Sequence, residues 1–215
     1  MKQQLLDAVR GFGDRKVLVI GDVIADVYTI GTTSRISREA PVIILEFDSE
    51  RVFLGGGGNA AANARAYGAD VMLAGAIGDD QAGQTVVELL DRSGIDAECL
   101  IRAKRTPTAV KTRILAGGRH TSRQQIVRLD KCPRVNLDES EQLDLLTRVD
   151  RKAQEVDAII ISDYGHGLVT EELFQAVRQT ASSRGIPITV DTRYDLQGTP
   201  VLLHRRPMRP RSRTS

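Results

Sequence analysis

The sequence predicts an α/β protein: a parallel β-sheet covered by helices on both faces, with a smaller second sheet set as a lid. Three observations lead there. Continuous apolar runs recur at Val17 to Ile20, Val71 to Ile77, Ala158 to Ile161 and Ile186 to Val190, which is how strands buried on both faces read. Amphipathic helical stretches alternate with those runs, as a parallel sheet requires. Two other segments are strand-like without helices between them, which points to a separate small sheet.

The elements follow in chain order. Val17 to Ile20 ends in Gly21-Asp22, a polar turn at the carboxyl end of a buried strand. Val27 to Ile30, Val42 to Phe47 and Arg51 to Leu54 read as short lid strands. Gly55-Gly56-Gly57-Gly58-Asn59 then precedes an alanine-rich helix, Ala60 to Tyr67, which Gly68 closes. After the second buried strand, Gln84 to Arg92 before Gly94 is a helix. Ala109 to Ala116 and Gln124 to Lys131 form a hairpin around Gly117-Gly118. A capping box of Asp138 and Glu141 opens a helix over Ser140 to Val156. Glu171 to Arg184 is a last helix, ended by Gly185.

Composition narrows the class. At 215 residues, 41% hydrophobic and 27% charged, the chain can bury a core and is expected to be one domain with at most a small appendage. Its first residues mix Leu5, Leu6, Val9 and Phe12 with charges, unlike a signal peptide, and no run could span a bilayer, so a cytoplasmic location and no membrane partner are expected. Cys99 and Cys132 are too few for a disulfide framework, and with His120, His166 and His204 isolated no metal site is expected. Arg205, Arg206, Arg209, Arg211 and Arg213 exceed the whole net charge of +2, so the rest of the chain is mildly acidic. That balance, with no aromatic cluster, argues against nucleic acid as a partner of the body.

Glycines ahead of a helix let a backbone approach a small polar ligand, and the helix start offers free N–H groups. A P-loop is excluded, because no Lys-Ser or Lys-Thr follows. A dinucleotide fingerprint fits Gly55-x-Gly57-x-x-Ala60 with Asp79 further on, though the glycines follow a lid strand and not the first parallel strand. A plain flexible turn is the remaining reading. Asp22 and Asp26 past the first buried strand, and Asp163 at the end of another, are site candidates under the strand-end rule. A polyol needs acceptors such as Asp26 and a two-way partner such as Asn59. A phosphorylated one also needs cations, for which Arg35, Lys111, Arg113 and Arg128 are candidates.

Gly21-Asp22-Val23-Ile24-Ala25-Asp26, Thr33 to Pro41, the glycines with Asn59, and Gly78-Asp79-Asp80-x-x-Gly83 together resemble the ribokinase-like (PfkB) family of sugar kinases. Within it, Ser34-Arg35-Ile36-Ser37-x-Glu39-Ala40-Pro41, Gln124 to Asp130 and Ser162-Asp163-Tyr164 resemble the branch acting on D-glycero-β-D-manno-heptose 7-phosphate, the kinase half of a bifunctional enzyme that makes ADP-heptose. The resemblance runs from about Lys16 to Gln197. It implies a ribokinase-like fold with a β lid, and puts Gly55, Gly56 and Asn59 on the sugar side with Asp26 accepting from sugar hydroxyls. It implies ATP and Mg²⁺ as cofactors of the intact parent, with Asp191 the one nucleotide-side candidate left. His166 stands where the branch has lysine, and Thr192-Arg193 where it has Pro-Lys, which leaves a related sugar or sugar phosphate open.

Two family features are missing: the Gly-Ala-Gly-Asp run that supplies the catalytic base and anion hole, and a Thr-Pro-Asn-x-x-Glu segment of the ATP pocket. Plausible codons for His204 to Ser215, read in another frame, give Pro-Thr-Pro-Asn-Glu-Ala-Glu. The expectation is a kinase domain over 1–197, with lid strands at about 24–54 and 108–131, followed by a misframed arginine-rich tail at 198–215. Such a chain is expected to be incomplete at its C-terminus, poorly soluble and inactive as a kinase, with no catalytic residue of its own. A non-catalytic sugar-binding or regulatory module is the alternative, a nucleotide-dependent oxidoreductase a further one, and a homodimer through the lid is left open.

Overall fold

The structure is a computed structural model that describes residue 3, residues 11–117 and 122–192, and residues 202 and 203. After a 3-10 turn at Gly11–Asp14, the chain forms β1 (Lys16–Gly21), β2 (Val23–Ile36), β3 (Ile43–Gly56), α1 (Gly57–Ala66), β4 (Asp70–Gly78) and α2 (Gln81–Arg92). It continues through β5 (Leu100–Ala103), β6 (Ala109–Gly117), β7 (Gln124–Lys131), α3 (Glu139–Ala153), β8 (Ala158–Asp163), α4 (Glu171–Arg184), β9 (Ile188–Thr192) and β10 (Leu202–Leu203).

The main sheet has the order β10-β9-β8-β1-β4-β5, and every pairing in it is parallel. Strands after β1 are laid first to one side of it and later to the other. Chain order therefore reverses between β1 and β8, and this is where an open α/β sheet leaves a crevice at its carboxyl edge.

β1 shows why the apolar run has to be continuous. Leu18 and Ile20 pack with Leu145, Val149, Leu173 and Phe174 of α3 and α4. Val17 and Val19 pack on the other face with Ala61 of α1 and Val86 and Leu90 of α2. Leu18, Val19 and Ile20 are fully buried. Each such side chain contributes about 1.5–3 kcal/mol relative to exposure, so a polar residue anywhere in the run would uncover one layer.

The helix ends follow the side chains. Asp80 caps α2 by accepting from the Gly83 amide, and Asp138 and Glu141 form the expected capping box on α3. Thr170 caps α4, whose far end stops at Gly185 in the left-handed region, φ 67°. Pro187 has no N–H, so β9 begins at Ile188 and not at Ile186; its carbonyl still accepts from Ile159 at 3.0 Å.

The lid is a second sheet in the order β3-β2-β6-β7, with β2 and β6 parallel and the outer pairs antiparallel. Its strands differ from the sequence expectation. The fragments at 27–30, 42–47 and 51–54 are parts of two long strands, β2 and β3, paired along nearly their whole length. Register shifts at Ile30/Gly31 and Thr33/Arg35 break the alternation that sequence reading relies on. β5, four residues at the sheet edge, carries too little pattern to be foreseen. The tip of the β6–β7 hairpin at Gly118 and the arginine-rich run at 205–215 lie outside the described residues, as do His120, Arg193 and His204.

Candidate functional site

The switch between β1 and β8 is closed by one carboxylate. Asp22, the residue between β1 and β2, is 2% exposed. Its Oδ2 accepts the Tyr164 amide at 2.8 Å and the His166 amide at 3.1 Å, so it holds the turn that follows β8. Burial pushes this carboxyl above the usual aspartate range, and nearby Asp163 adds to the rise, while those two amides and His166 pull it back in part. Its Oδ1 is buried with no hydrogen-bond partner among the described residues.

The glycines owe their identity first to this packing. A Cβ on Gly56 would stand 2.2 Å from the Asp22 carbonyl oxygen, and Gly56 has φ 59°. Gly57, the first residue of α1, donates its amide to the same Asp22 carbonyl at 2.8 Å. The amino end of α1 thus lies directly on the β1–β2 turn. Gly55 leaves room for the Asp26 carboxylate, which a Cβ there would meet at 3.2 Å.

Between lid and body lies an open cleft of about 850 Å³. Strand alternation selects its lid wall. On β2 the residues facing it are Ile24, Asp26, Tyr28 and Ile30, and on β6 they are Lys111 and Arg113. Strand register gathers these side chains into two rows across the lid: Phe53–Asp26–Lys111–Asp130 and Arg51–Tyr28–Arg113–Arg128. Gly55, Gly56 and Asn59 line the floor, and Tyr164 and His166 the side formed by the turn after β8.

Charges in the cleft are partly paired. Arg113 reaches Asp26 at 3.3 Å, both about one-fifth exposed, and its guanidinium lies 5.6 Å from the Tyr28 ring. Arg128 pairs with Asp130 at 2.9 Å. Lys111 Nζ stands 5.4 Å from the centre of the Tyr164 ring. The Arg113 Nε is buried and makes no hydrogen bond to a described residue. Cys132 also lines the cleft, and burial pushes its thiol up, away from thiolate character.

Of the residues singled out in the sequence, Asp26, Gly55, Gly56, Asn59, Lys111, Arg113 and Arg128 face this cleft together. Asp22 sits just behind it. Asp163 is buried, with Oδ1 accepting the Gly165 amide and Oδ2 the Thr192 hydroxyl, each at 2.8 Å; it braces the turn. Arg35 is exposed near the far end of β2 and is not among the residues lining the cleft. Asp191 lies in β9 opposite Ser162, outside the cleft lining. Arg51, Tyr28, Phe53, Tyr164 and Asp130 also line the cleft; period-2 spacing from Asp26, Gly55 and Arg128 signals all of them but Tyr164, which lies in the turn after β8.

The Gly78-Asp79-Asp80-x-x-Gly83 run has a structural role here. Thr108 donates its hydroxyl to Asp80 Oδ1 at 2.6 Å and its amide to Oδ2 at 2.8 Å, and the hydroxyl accepts the Gly78 amide at 2.9 Å. Burial alone would raise Asp80, but the Thr108 hydroxyl and the Gly83 and Thr108 amides outweigh it and hold the carboxyl low. This knot ties the start of β6 to the end of β4.

Among the described residues no group of three or more His, Cys, Asp or Glu side chains is arranged to hold a metal ion. No described helix is long and apolar enough to cross a membrane.

Comparison with known proteins is consistent with this architecture. The family described as pfkB family carbohydrate kinase matches residues 14–204. A relative from Caulobacter sp., named bifunctional protein HldE, is 36% identical over 202 residues, covering 91% of this chain and 40% of the relative. One from Helicobacter pylori with the same name is 42% identical over 163 residues, covering 76% of this chain and 34% of the relative. The chain thus spans about two-fifths or less of these relatives. Among solved structures, Arabidopsis thaliana ribokinase complexed with ribose and ATP superposes with a TM-score of 0.53 at 14% identity, over 82% of this chain and 53% of that one. Escherichia coli phosphofructokinase-2 gives 0.54 at 20% identity, over 83% and 54%. At those identities the likeness is one of fold.

Proposed function

The chain belongs to the pfkB family of carbohydrate kinases, and from that membership we propose that it forms the sugar-binding half of a kinase acting on heptose 7-phosphate or a closely related sugar phosphate. The supporting observation is the cleft itself, where Asp26, Lys111, Arg113 and Arg128 on the lid wall stand over Asn59 and the glycine backbone of its floor. Asp26 accepts from sugar hydroxyls, Asn59 both accepts and donates, and the cations neutralise the phosphate already on the sugar. Tyr28 and Phe53, packed edge to face at 5.3 Å, offer an apolar wall to the C–H face of the sugar.

In the intact parent, ATP with Mg²⁺ would supply the phosphoryl group, and ADP-heptose synthesis would be the route served. Among the described residues Asp191 is the only nucleotide-side candidate that the resemblance leaves, and it lies outside the cleft lining. The Gly-Ala-Gly-Asp base run is also absent from the 215 residues. This chain, taken alone, therefore binds the acceptor without turning over ATP.

Calorimetric titration with heptose 7-phosphate, paired with a coupled ADP-release assay, tests both statements. Binding without ADP release is the expected result. No binding would sink the acceptor assignment, and sustained ADP release would sink the inactivity.

A further inference from the structure

We infer that Arg51 is a specificity-determining residue of the acceptor cleft, the side chain that selects a phosphorylated sugar over its unphosphorylated counterpart. The inference rests on the sugar-phosphate reading above.

Register is the first argument. Arg51 pairs with Tyr28 on β3–β2, Tyr28 with Arg113 on β2–β6, and Arg113 with Arg128 on β6–β7. Three guanidinium groups therefore share one row on the cleft face of the lid, and all three line the cleft. Alternation sends the neighbouring acid away: Glu50 is on the opposite face, where it accepts from the Thr29 hydroxyl at 3.0 Å.

Charge is the second. Arg113 and Arg128 are directly opposed across two strands, an arrangement that is unfavourable by itself, and each leans on a carboxylate, Asp26 and Asp130. The Arg51 side chain makes no ion pair or hydrogen bond with any described residue and is exposed. His166 aside, the cleft lining holds Arg51, Lys111, Arg113 and Arg128 against Asp26 and Asp130. That excess of two cations matches a phosphomonoester dianion. Arg51 is the guanidinium that meets it without first giving up a carboxylate, and its planar fork suits two phosphate oxygens.

The experiment is calorimetric titration of the 215-residue chain with D-glycero-D-manno-heptose 7-phosphate and with the unphosphorylated heptose. Arg51→Ala is expected to weaken the phosphorylated sugar roughly tenfold and to leave the unphosphorylated sugar unchanged. Arg51→Lys is expected to recover part of the loss, because it restores charge without the fork. An Arg51→Ala chain that binds heptose 7-phosphate as tightly as the unmodified chain overturns the role of Arg51 and leaves the sugar-phosphate reading standing. Equal losses for both sugars also overturn it, since they assign Arg51 to the shape of the cleft. An unmodified chain that binds neither sugar overturns the underlying reading and this inference with it.

Discussion

Asp22 and Tyr164 lie 142 positions apart in the chain, yet the carboxylate of one accepts the backbone amide of the other at 2.8 Å. The His166 amide shares the same oxygen. Asp22→Ala leaves two amides without their acceptor and should cost about 2–4 kcal/mol, read from urea unfolding. Asp22→Asn keeps an acceptor oxygen and should cost much less. Equal losses in the two variants would show that the hydrogen bonds are not the source.

The same residue predicts a pH dependence with a definite sign. Burial raises the native carboxyl, so the folded chain holds its proton more tightly than the unfolded chain does. Its contribution is full below the ordinary aspartate range and falls away as pH rises through the raised native value. Unfolding free energies measured between about pH 4 and 8 should show that decline, and Asp22→Asn should flatten it.

Thr108→Val removes the hydroxyl that joins Asp80 to the Gly78 amide, in a side chain that is 4% exposed. A loss of about 1–3 kcal/mol is expected. Asp80 is held low in the native state, so its stabilisation is present above the ordinary aspartate range and is lost as pH falls through the depressed value. Thermal melts at neutral and acid pH should therefore differ less for the variant than for the unmodified chain.

Gly56→Ala forces a Cβ to 2.2 Å from the Asp22 carbonyl at φ 59°. It should destabilise by about 2 kcal/mol or more and should loosen sugar binding by displacing the amino end of α1. Gly11→Ala, where a Cβ would have open space around it, is the matched control and should stay within about 0.5 kcal/mol. Similar melts for the two variants would contradict the packing account.

Asp26→Ala should abolish most sugar affinity, because it removes an acceptor and leaves Arg113 without its carboxylate. A double-mutant cycle with Arg113→Ala, titrated with heptose 7-phosphate, should show coupling of about 0.5–3 kcal/mol. Additive losses would mean that the pair does not act as a unit.

The body of the fold was legible because its strands are buried on both faces, so Val17 to Ile20 and Val71 to Ile77 are apolar without a break. The lid was legible only in pieces. One of its faces is charged, β7 is exposed throughout, and bulges shift the period of β2. Asp26, Asn59 and the three cations were recoverable from residue type and resemblance. The place of the glycines ahead of a helix points to a ligand, while their contact with the Asp22 carbonyl, which depends on a backbone path between distant strands, has no local signature. Asp163 is a site candidate by its place at a strand end, and its links to Gly165 and Thr192, which depend on the turn after β8 and on β9, have no local signature.

At β2 and β3 the lid joins the body with almost no slack. Asp22 alone separates β1 from β2, and β3 passes into α1 without an intervening residue. At this edge the lid has no tether to swing on, and a rotation there would twist β2 and β3 about the point where the Gly57 amide meets the Asp22 carbonyl. β2 and β3, each 14 residues long, act as lever arms of roughly 45 Å, so ~5° of rotation at that pivot carries their far ends by about 4 Å. Asp26 and Asn59, which line the cleft, sit close to the fulcrum, where such a rotation moves them least. Arg35, out at the tip, would sweep the widest arc.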